Sequence, residues 1–272
     1  MNKKILIAGG IILAVVAGTL LLIFSNGNIL LSSNTGGSRI PAQELYANAM
    51  ALEQKNEWLQ AKDAYQKLMT EYPDFKDIAQ VQKKSEDLNM RIIFSGLETP
   101  QALMHEVKAG DSLDKIAKQY NTTVEFIKRS NNLTGDMIRA GQRLRIWKGV
   151  FSVFVDKSQN ILILKSDDEV LKVYQVATGA NNITPVGTFT IVNKLMNPSW
   201  FKSGAVIPPG SPDNILGTRW LGFDIAGYGI HGTTEPQSIG QQITAGCVRM
   251  HNEDVEELYS LLPAGTQVTI ID

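Results

Sequence analysis

Residues Ile5 to Phe24 are twenty consecutive uncharged, mostly apolar positions behind Lys3 and Lys4. The run lacks amphipathic periodicity and is long enough to cross a bilayer as a helix, so it does not read as the edge of a compact domain. The two lysines should stay on the cytoplasmic side, which leaves the bulk of the chain outside it. A cleaved leader is the competing reading. Its apolar core is usually shorter, about 7 to 15 residues, and no small-x-small site follows Phe24. An uncleaved transmembrane anchor over residues 1–24 is expected, followed by a Ser/Asn/Gly-rich linker over 25–41.

That placement sharpens the meaning of Cys247, the only cysteine. An extracytoplasmic chain with one thiol makes no internal disulfide, so Cys247 is either buried and inert or kept for its reactivity. The net charge of −1 over 272 residues offers no basic patch, and no nucleic-acid partner is expected.

Beyond the linker the texture changes three times, so the chain reads as multi-domain. Residues 42–95 are rich in Ala, Leu, Glu, Gln and Lys, with a break at Asn56 and a stop at Tyr72-Pro73, which predicts a helical hairpin and a third helix. Residues 103–147 read as strand, helix, helix, strand. Asp111 is the expected N-cap of the first helix, Asn121 closes it, and the second follows Thr122-Thr123. From residue 150 to 272 short alternating segments predict a mainly-β domain with strands near 151–155, 161–164, 171–176 and 188–192 and a last one over 266–271. Asn252 is the expected N-cap of a closing helix with Val255, Leu258, Tyr259 and Leu262 on its buried stripe. The Pro/Gly-rich run from Asn197 to Gly217 is long for a connection and predicts a lid. Trp200, Trp220 and Phe223 are expected in core or lid packing, and His105 as a strand residue without chemistry.

The candidate chemistry lies between His231 and Asn252. A thiol is mostly protonated at neutral pH and needs a base or positive surroundings to act as a nucleophile. His231 is the base that position supports; His251, four residues past the cysteine, should point away and be structural. Gly246 has a mechanical reason to be glycine if a sharp turn presents the thiol.

His231-Gly232-Thr233, Ser238-Ile239-Gly240 and Gly246-Cys247-Val248-Arg249-Met250-His251-Asn252, in this order, resemble the signature of the YkuD-type L,D-transpeptidases, over roughly the last 120 residues. Thr184 to Phe189 and Asn214 to Gly222 resemble further stretches of that family. The resemblance implies a mainly-β catalytic domain whose thiolate attacks a peptidoglycan stem peptide between its third and fourth residues, giving a thioester that a second stem, or water, resolves. In the family the carbonyl after the histidine holds the imidazole tautomer, which here is Gly232. The amides of Ala245, Gly246 and Cys247 are the expected oxyanion donors. Ala245 stands where many members carry histidine; the backbone is the usual contributor there, so activity should survive. Arg249 either pairs with a stem-peptide carboxylate or braces the loop, and no metal or cofactor is implied.

His105 to Leu113, Ile116-Ala117, Ser130 to Leu133 and Ile138 to Leu144 resemble a LysM module, which implies a groove for glycan strands formed by Gly110, Asp111 and Ser112 facing Asn132, Leu133, Met137 and Ile138. Ala49, Leu52, Ala61, Tyr65 and Pro73 resemble one tetratricopeptide repeat, a unit that would dock a protein partner or a second copy, or act as a spacer. The expected whole is a single-pass, membrane-anchored enzyme acting on the extracytoplasmic side. An L,D-carboxypeptidase and a non-catalytic wall-binding scaffold are the alternatives.

Overall fold

The computed structural model describes residues 40–202 and 204–272; the expected anchor, and all of the linker but its last two residues, lie outside them. No helix among the described residues is long and apolar enough to cross a membrane. The chain divides into two compact units, one up to Asn89 and one from Met90 to Asp272.

In the first unit, helices α1 (Ala42–Gln54) and α2 (Trp58–Glu71) form the expected hairpin and α3 (Ile78–Phe94) follows. The break falls where the sequence puts it. Asn56 takes a left-handed backbone (φ 59) and its side chain accepts from Trp58 Nε1 at 3.2 Å. Ala49 and Ala61, both fully buried, keep the facing surfaces small. Tyr65 fills the centre and donates its hydroxyl to Glu53 Oε2 at 2.9 Å. Val81 and Leu88 of α3 join the same apolar cluster, so the third helix covers a face that a lone hairpin would leave wet.

In the second unit, β1 (Ala102–Glu106) pairs antiparallel with β2 (Arg143–Trp147), with α4 (Leu113–Gln119) and α5 (Val124–Ser130) between them. Val107, Leu113, Ile116, Ala117, Ile127, Leu144 and Ile146 form its core. Asn121 closes α4 in a left-handed conformation (φ 48), as expected. The N-cap differs by one residue. Ser112, extended at φ −138 and ψ 159, accepts from Lys115 N, and Asp111 instead accepts from Lys108 N at 2.8 Å. The shorter hydroxyl side chain reaches the helix start, while the carboxylate folds back over its own turn.

The remaining residues build an eight-stranded sheet: β3 (Phe151–Asp156), β4 (Ile161–Ser166), β5 (Glu169–Gln175), β7 (Gly187–Met196), β10 (Arg219–Phe223), β11 (Gly229–His231), β13 (Val248–Arg249) and β14 (Gln267–Ile271). Their spatial order is β13-β11-β10-β7-β14-β3-β4-β5. Its two ends meet, because Ala177, just past β5, exchanges two backbone hydrogen bonds of 2.8 Å with Arg249. β6 (Thr178–Gly179) and β12 (Gln242–Thr244) pair beside that closure. Helix α6 (Asn252–Leu261) buries Val255, Leu258 and Leu261 against the sheet.

The expected lid is a small hairpin, β8 (Trp200–Lys202) with β9 (Ala205–Ile207). Buried Asn214 ties its base, its amide group reaching the carbonyls of Pro198, Ile207 and Pro208 at 2.9 to 3.2 Å. One side chain thus meets backbone acceptors that a Pro-rich loop cannot pair with itself.

Candidate active site

Cys247 lies in the bend between β12 and β13. β13 runs parallel to β11 with Ile230 opposite Val248 and His231 opposite Arg249. Continued by one residue, that register sets Cys247 opposite Gly229, with His231 one pleat further along the same face. Thr244, at the end of β12, holds the bend: its Oγ1 donates to the Cys247 carbonyl at 2.6 Å and accepts the Gly246 N–H at 3.1 Å. Gly246 is required twice over. Its φ is +121°, and a Cβ there would come within 2.6 Å of the Tyr228 ring.

This geometry corrects one expectation. The Gly246 N–H is taken by Thr244, so of the three expected oxyanion donors the N–H groups of Ala245 and Cys247 are the ones without a protein acceptor among the described residues.

The half-buried thiol of Cys247 donates to the Gly227 carbonyl at 3.4 Å. Burial pushes its pKa up, opposed by the Gly229 N–H and by the charge of Arg249. His231 is 2% exposed, and burial together with the Arg249 charge lowers its pKa from 6.5 to about 4. The ring is neutral at pH 7. Its Nδ1–H donates to the Gly232 carbonyl at 2.6 Å, which leaves the lone pair on Nε2, the role expected of Gly232. Trp220 stacks on the ring, centroids 6.0 Å apart and planes within 19°. At neutral pH the two side chains are therefore an uncharged thiol and an uncharged imidazole of fixed tautomer.

Two residues work in ways the sequence did not reveal. Asn252 is the first residue of α6, not its cap. Its Oδ1 accepts from Thr218 N at 3.3 Å and Thr233 N at 2.9 Å, and its Nδ2 donates to Thr233 O at 2.8 Å. The cradle is built of glycine, because a Cβ at Gly217 or Gly232 would lie 2.2 Å from that oxygen. Asn252 therefore fixes the segment that carries Gly232, and through it the His231 ring. Trp220, expected only in packing, is the other; no spacing rule links it to a histidine eleven positions on. His251 is exposed and caps α6 with its backbone.

Of its two expected roles, Arg249 is seen making the bracing contacts. It is 5% exposed, and its Nη1 donates to Glu235 Oε2 at 2.6 Å and Ser238 Oγ at 2.9 Å, tying the loop after β11 to the strand after the cysteine.

In the helical-strand module Gly110, Asn132 and Met137 are exposed, while Leu133 and Ile138 are partly buried against the module's own core. Of the expected apolar contacts only Met137, 82% exposed, is fully presented. Ser112 is spent on capping, and Asp111 accepts from His105 Nε2 at 3.1 Å while His105 Nδ1 meets the Tyr120 hydroxyl at 3.0 Å. His105 thus acts structurally, pinning the turn that bears Gly110 and Asp111.

Comparison with known proteins agrees with this architecture. The L,D-transpeptidase catalytic domain family (YkuD) matches residues 151–270, and the LysM domain family matches residues 105–147. YqjB of Bacillus subtilis, assigned to the L,D-transpeptidases, is 45% identical over 126 residues, 44% of this chain and 70% of that one. YkuD of Bacillus licheniformis, assigned likewise, is 37% identical over 177 residues, 62% of this chain and 98% of that one, a span long enough to include both domains. With a catalytic-domain match over the segments that bear Cys247 and His231, and relatives of this identity covered over most of their length, the chain belongs to the YkuD family of L,D-transpeptidases and carries a LysM domain ahead of its catalytic domain.

Proposed function

We propose that this chain cross-links peptidoglycan: Cys247 attacks the carbonyl between the third and fourth residues of a stem peptide, and an amine of a second stem takes up the acyl group. The observation that carries the reading is the His231 ring, buried, neutral and held by Gly232 so that Nε2 is the base. As the sulfur attacks, Nε2 takes the thiol proton. Negative charge develops on the carbonyl oxygen, where the N–H groups of Ala245 and Cys247 are the donors at hand. Collapse breaks the C–N bond, His231 returns its proton to the departing D-alanine, and a thioester on Cys247 remains. The acceptor amine then attacks this thioester, gives its proton to Nε2, and restores the thiol.

The low charge of the pair at rest supports the reading, since a neutral couple needs no solvation and leaves the cleft free to exclude water, which would otherwise compete as the acceptor. The LysM domain supplies the glycan contact, through the backbone around Gly110 and Asn132 and the side chain of Met137. Residues 1–24 are read as a single-pass anchor that keeps these domains outside the cytoplasm. The helical unit is read as a tetratricopeptide-like docking unit for a protein partner.

The test is mass spectrometry of muropeptides after incubation of the chain with disaccharide-tetrapeptides, beside Cys247→Ala. Cross-linked dimers that have lost D-alanine, absent from the control, are the expected outcome. Tripeptide alone would convert the assignment to an L,D-carboxypeptidase, and unchanged tetrapeptide with glycan binding to a wall-binding scaffold.

A further inference from the structure

The LysM domain does not hang from the catalytic domain by its connection at residues 148–150. Its helix α5 lies along α6, and the seam is built from several independent contacts. Thr123 donates its hydroxyl to the Ser260 carbonyl, and Arg129 Nη1 donates to Ser260 Oγ at 2.8 Å. The Arg129 guanidinium also sits 3.5 Å from the centroid of the Phe94 ring, which meets Phe126 edge-on at 5.5 Å. Phe126 in turn packs against Phe151 at 5.9 Å. Trp147 stacks on Phe151 and donates to Ser166 Oγ at 3.2 Å.

The burial pattern shows how firm this seam is. Phe126 and Trp147, although they belong to LysM elements, pack into the core of the catalytic sheet and not into the LysM core. Thr123 and Ser260 are each 6% exposed, so their hydrogen bond is shielded from water. A joint that only tethered two domains would need none of this, and relative motion is the default unless such an interface opposes it.

Helix α6 gives the seam its consequence. Its 10 residues span about 15 Å. Ser260 near one end receives the LysM domain, and Asn252 at the other clamps the segment that orients His231. One rigid element therefore holds both the glycan-facing domain and the catalytic loop.

We propose that the α5–α6 seam is a positioning device: it sets the LysM groove at a fixed offset from Cys247, so that one glycan strand and the stem peptide it carries are bound as a single two-part ligand. This rests on the functional reading above. A fixed offset turns binding of the second part into an intramolecular event, with a gain that a loose joint would dilute.

The seam can be opened without touching the groove or the thiol. Arg129→Glu with Ser260→Glu places two carboxylates where a bond now forms, close to Glu257, whose charge already acts on Arg129. Arg129→Glu with Ser260→Arg reverses the pair and should restore it. Arg129→Ala, at the seam's exposed rim, is the milder variant should the double-glutamate chain fold poorly. Each is made in the full chain carrying Cys247→Ser, so that binding is measured without turnover. Three ligands are titrated: an N-acetylglucosamine oligomer, a free tetrapeptide, and a glycan strand bearing tetrapeptides.

With the seam intact the substituted strand should bind at least about 30-fold more tightly than the better of its two parts. In the double-glutamate chain both parts should bind as before while the strand loses about 10-fold, and the reversed pair should recover it. An equal strand advantage in the opened chain, or none in the intact one, overturns the proposal. Failure to bind the tetrapeptide at all would instead overturn the functional reading, a result the strand comparison does not imitate.

Discussion

Cys247 and His231 are displaced in opposite directions by one cause. Burial disfavours charge, so the acid's pKa rises and the base's falls, and the proton stays on sulfur at rest. Alkylation of Cys247 by iodoacetamide is therefore expected to be slow at pH 7 and to accelerate only above about pH 9, the ordinary thiol value from which burial raises it. A plateau near neutrality would show a preformed thiolate and contradict the neutral pair. His231 also links stability to pH. Its folded-state pKa of about 4 lies below the unfolded value of 6.5, so the unfolded chain binds the extra proton first. The stabilisation is complete above pH 6.5 and is lost as pH falls through 4, on the order of 3 kcal/mol in all. Urea titrations between pH 7 and 4 should show that loss, and His231→Gln should remove most of it. At Gly246 the left-handed backbone and the Tyr228 ring both exclude a side chain, so Gly246→Ala should lower the rate of acylation by a carbapenem roughly 100-fold through displacement of the bend. An unchanged rate would mean that the turn adapts.

Among the elements, α6 and the loop it clamps give the sharpest expectation. Asn252→Ala removes one acceptor serving two backbone N–H groups and one donor, all on the segments beside His231, and should cost about 2 to 4 kcal/mol in thermal or urea unfolding. Asn252→Asp keeps the acceptor and should lose less; equal losses would mean that Nδ2 and Thr233 carry the clamp. The sequence made the elements legible because their signals are local. Period-2 alternation located β3, β4, β5, β7 and β14, the break at Asn56 and the stop at Tyr72-Pro73 bounded the first two helices, and the ordered run from His231 to Asn252 singled out Cys247 and His231. Side-chain commitments were not legible in the same way. Whether Ser112 or Asp111 caps α4 turns on which rotamer the preceding turn leaves free. Asn252 meets Thr233 and Thr218, nineteen and thirty-four positions away, so its partners exist only once β10 and β11 are paired. Arg249 could face substrate or protein until the loop with Glu235 and Ser238 closed over it. The Thr244 bond that removes Gly246 from the oxyanion donors is a detail of one bend, set by distances no periodicity encodes.

At the scale of the molecule, the catalytic sheet is held together from its middle. β14 lies between β7, to which it is antiparallel, and β3, to which it is parallel, and five of its residues pair with β3 in unbroken register. Deleting 267–271 should leave β3 and β7 without a common neighbour and abolish the second unit's cooperative unfolding transition, whereas a truncation confined to the helical unit, for example of 40–75, should leave that transition in place. Retention of carbapenem acylation in the 267–271 deletion would contradict the central role of β14. The position of that strand also has a meaning in time. A ribosome delivers β3 more than a hundred residues before its parallel neighbour, so the β3-β4-β5 and β7-β10-β11-β13 halves of the sheet can be joined only once β14 is made. The segments that bear Cys247 and His231 are therefore already made when the strand that joins the two halves of their sheet is still to come.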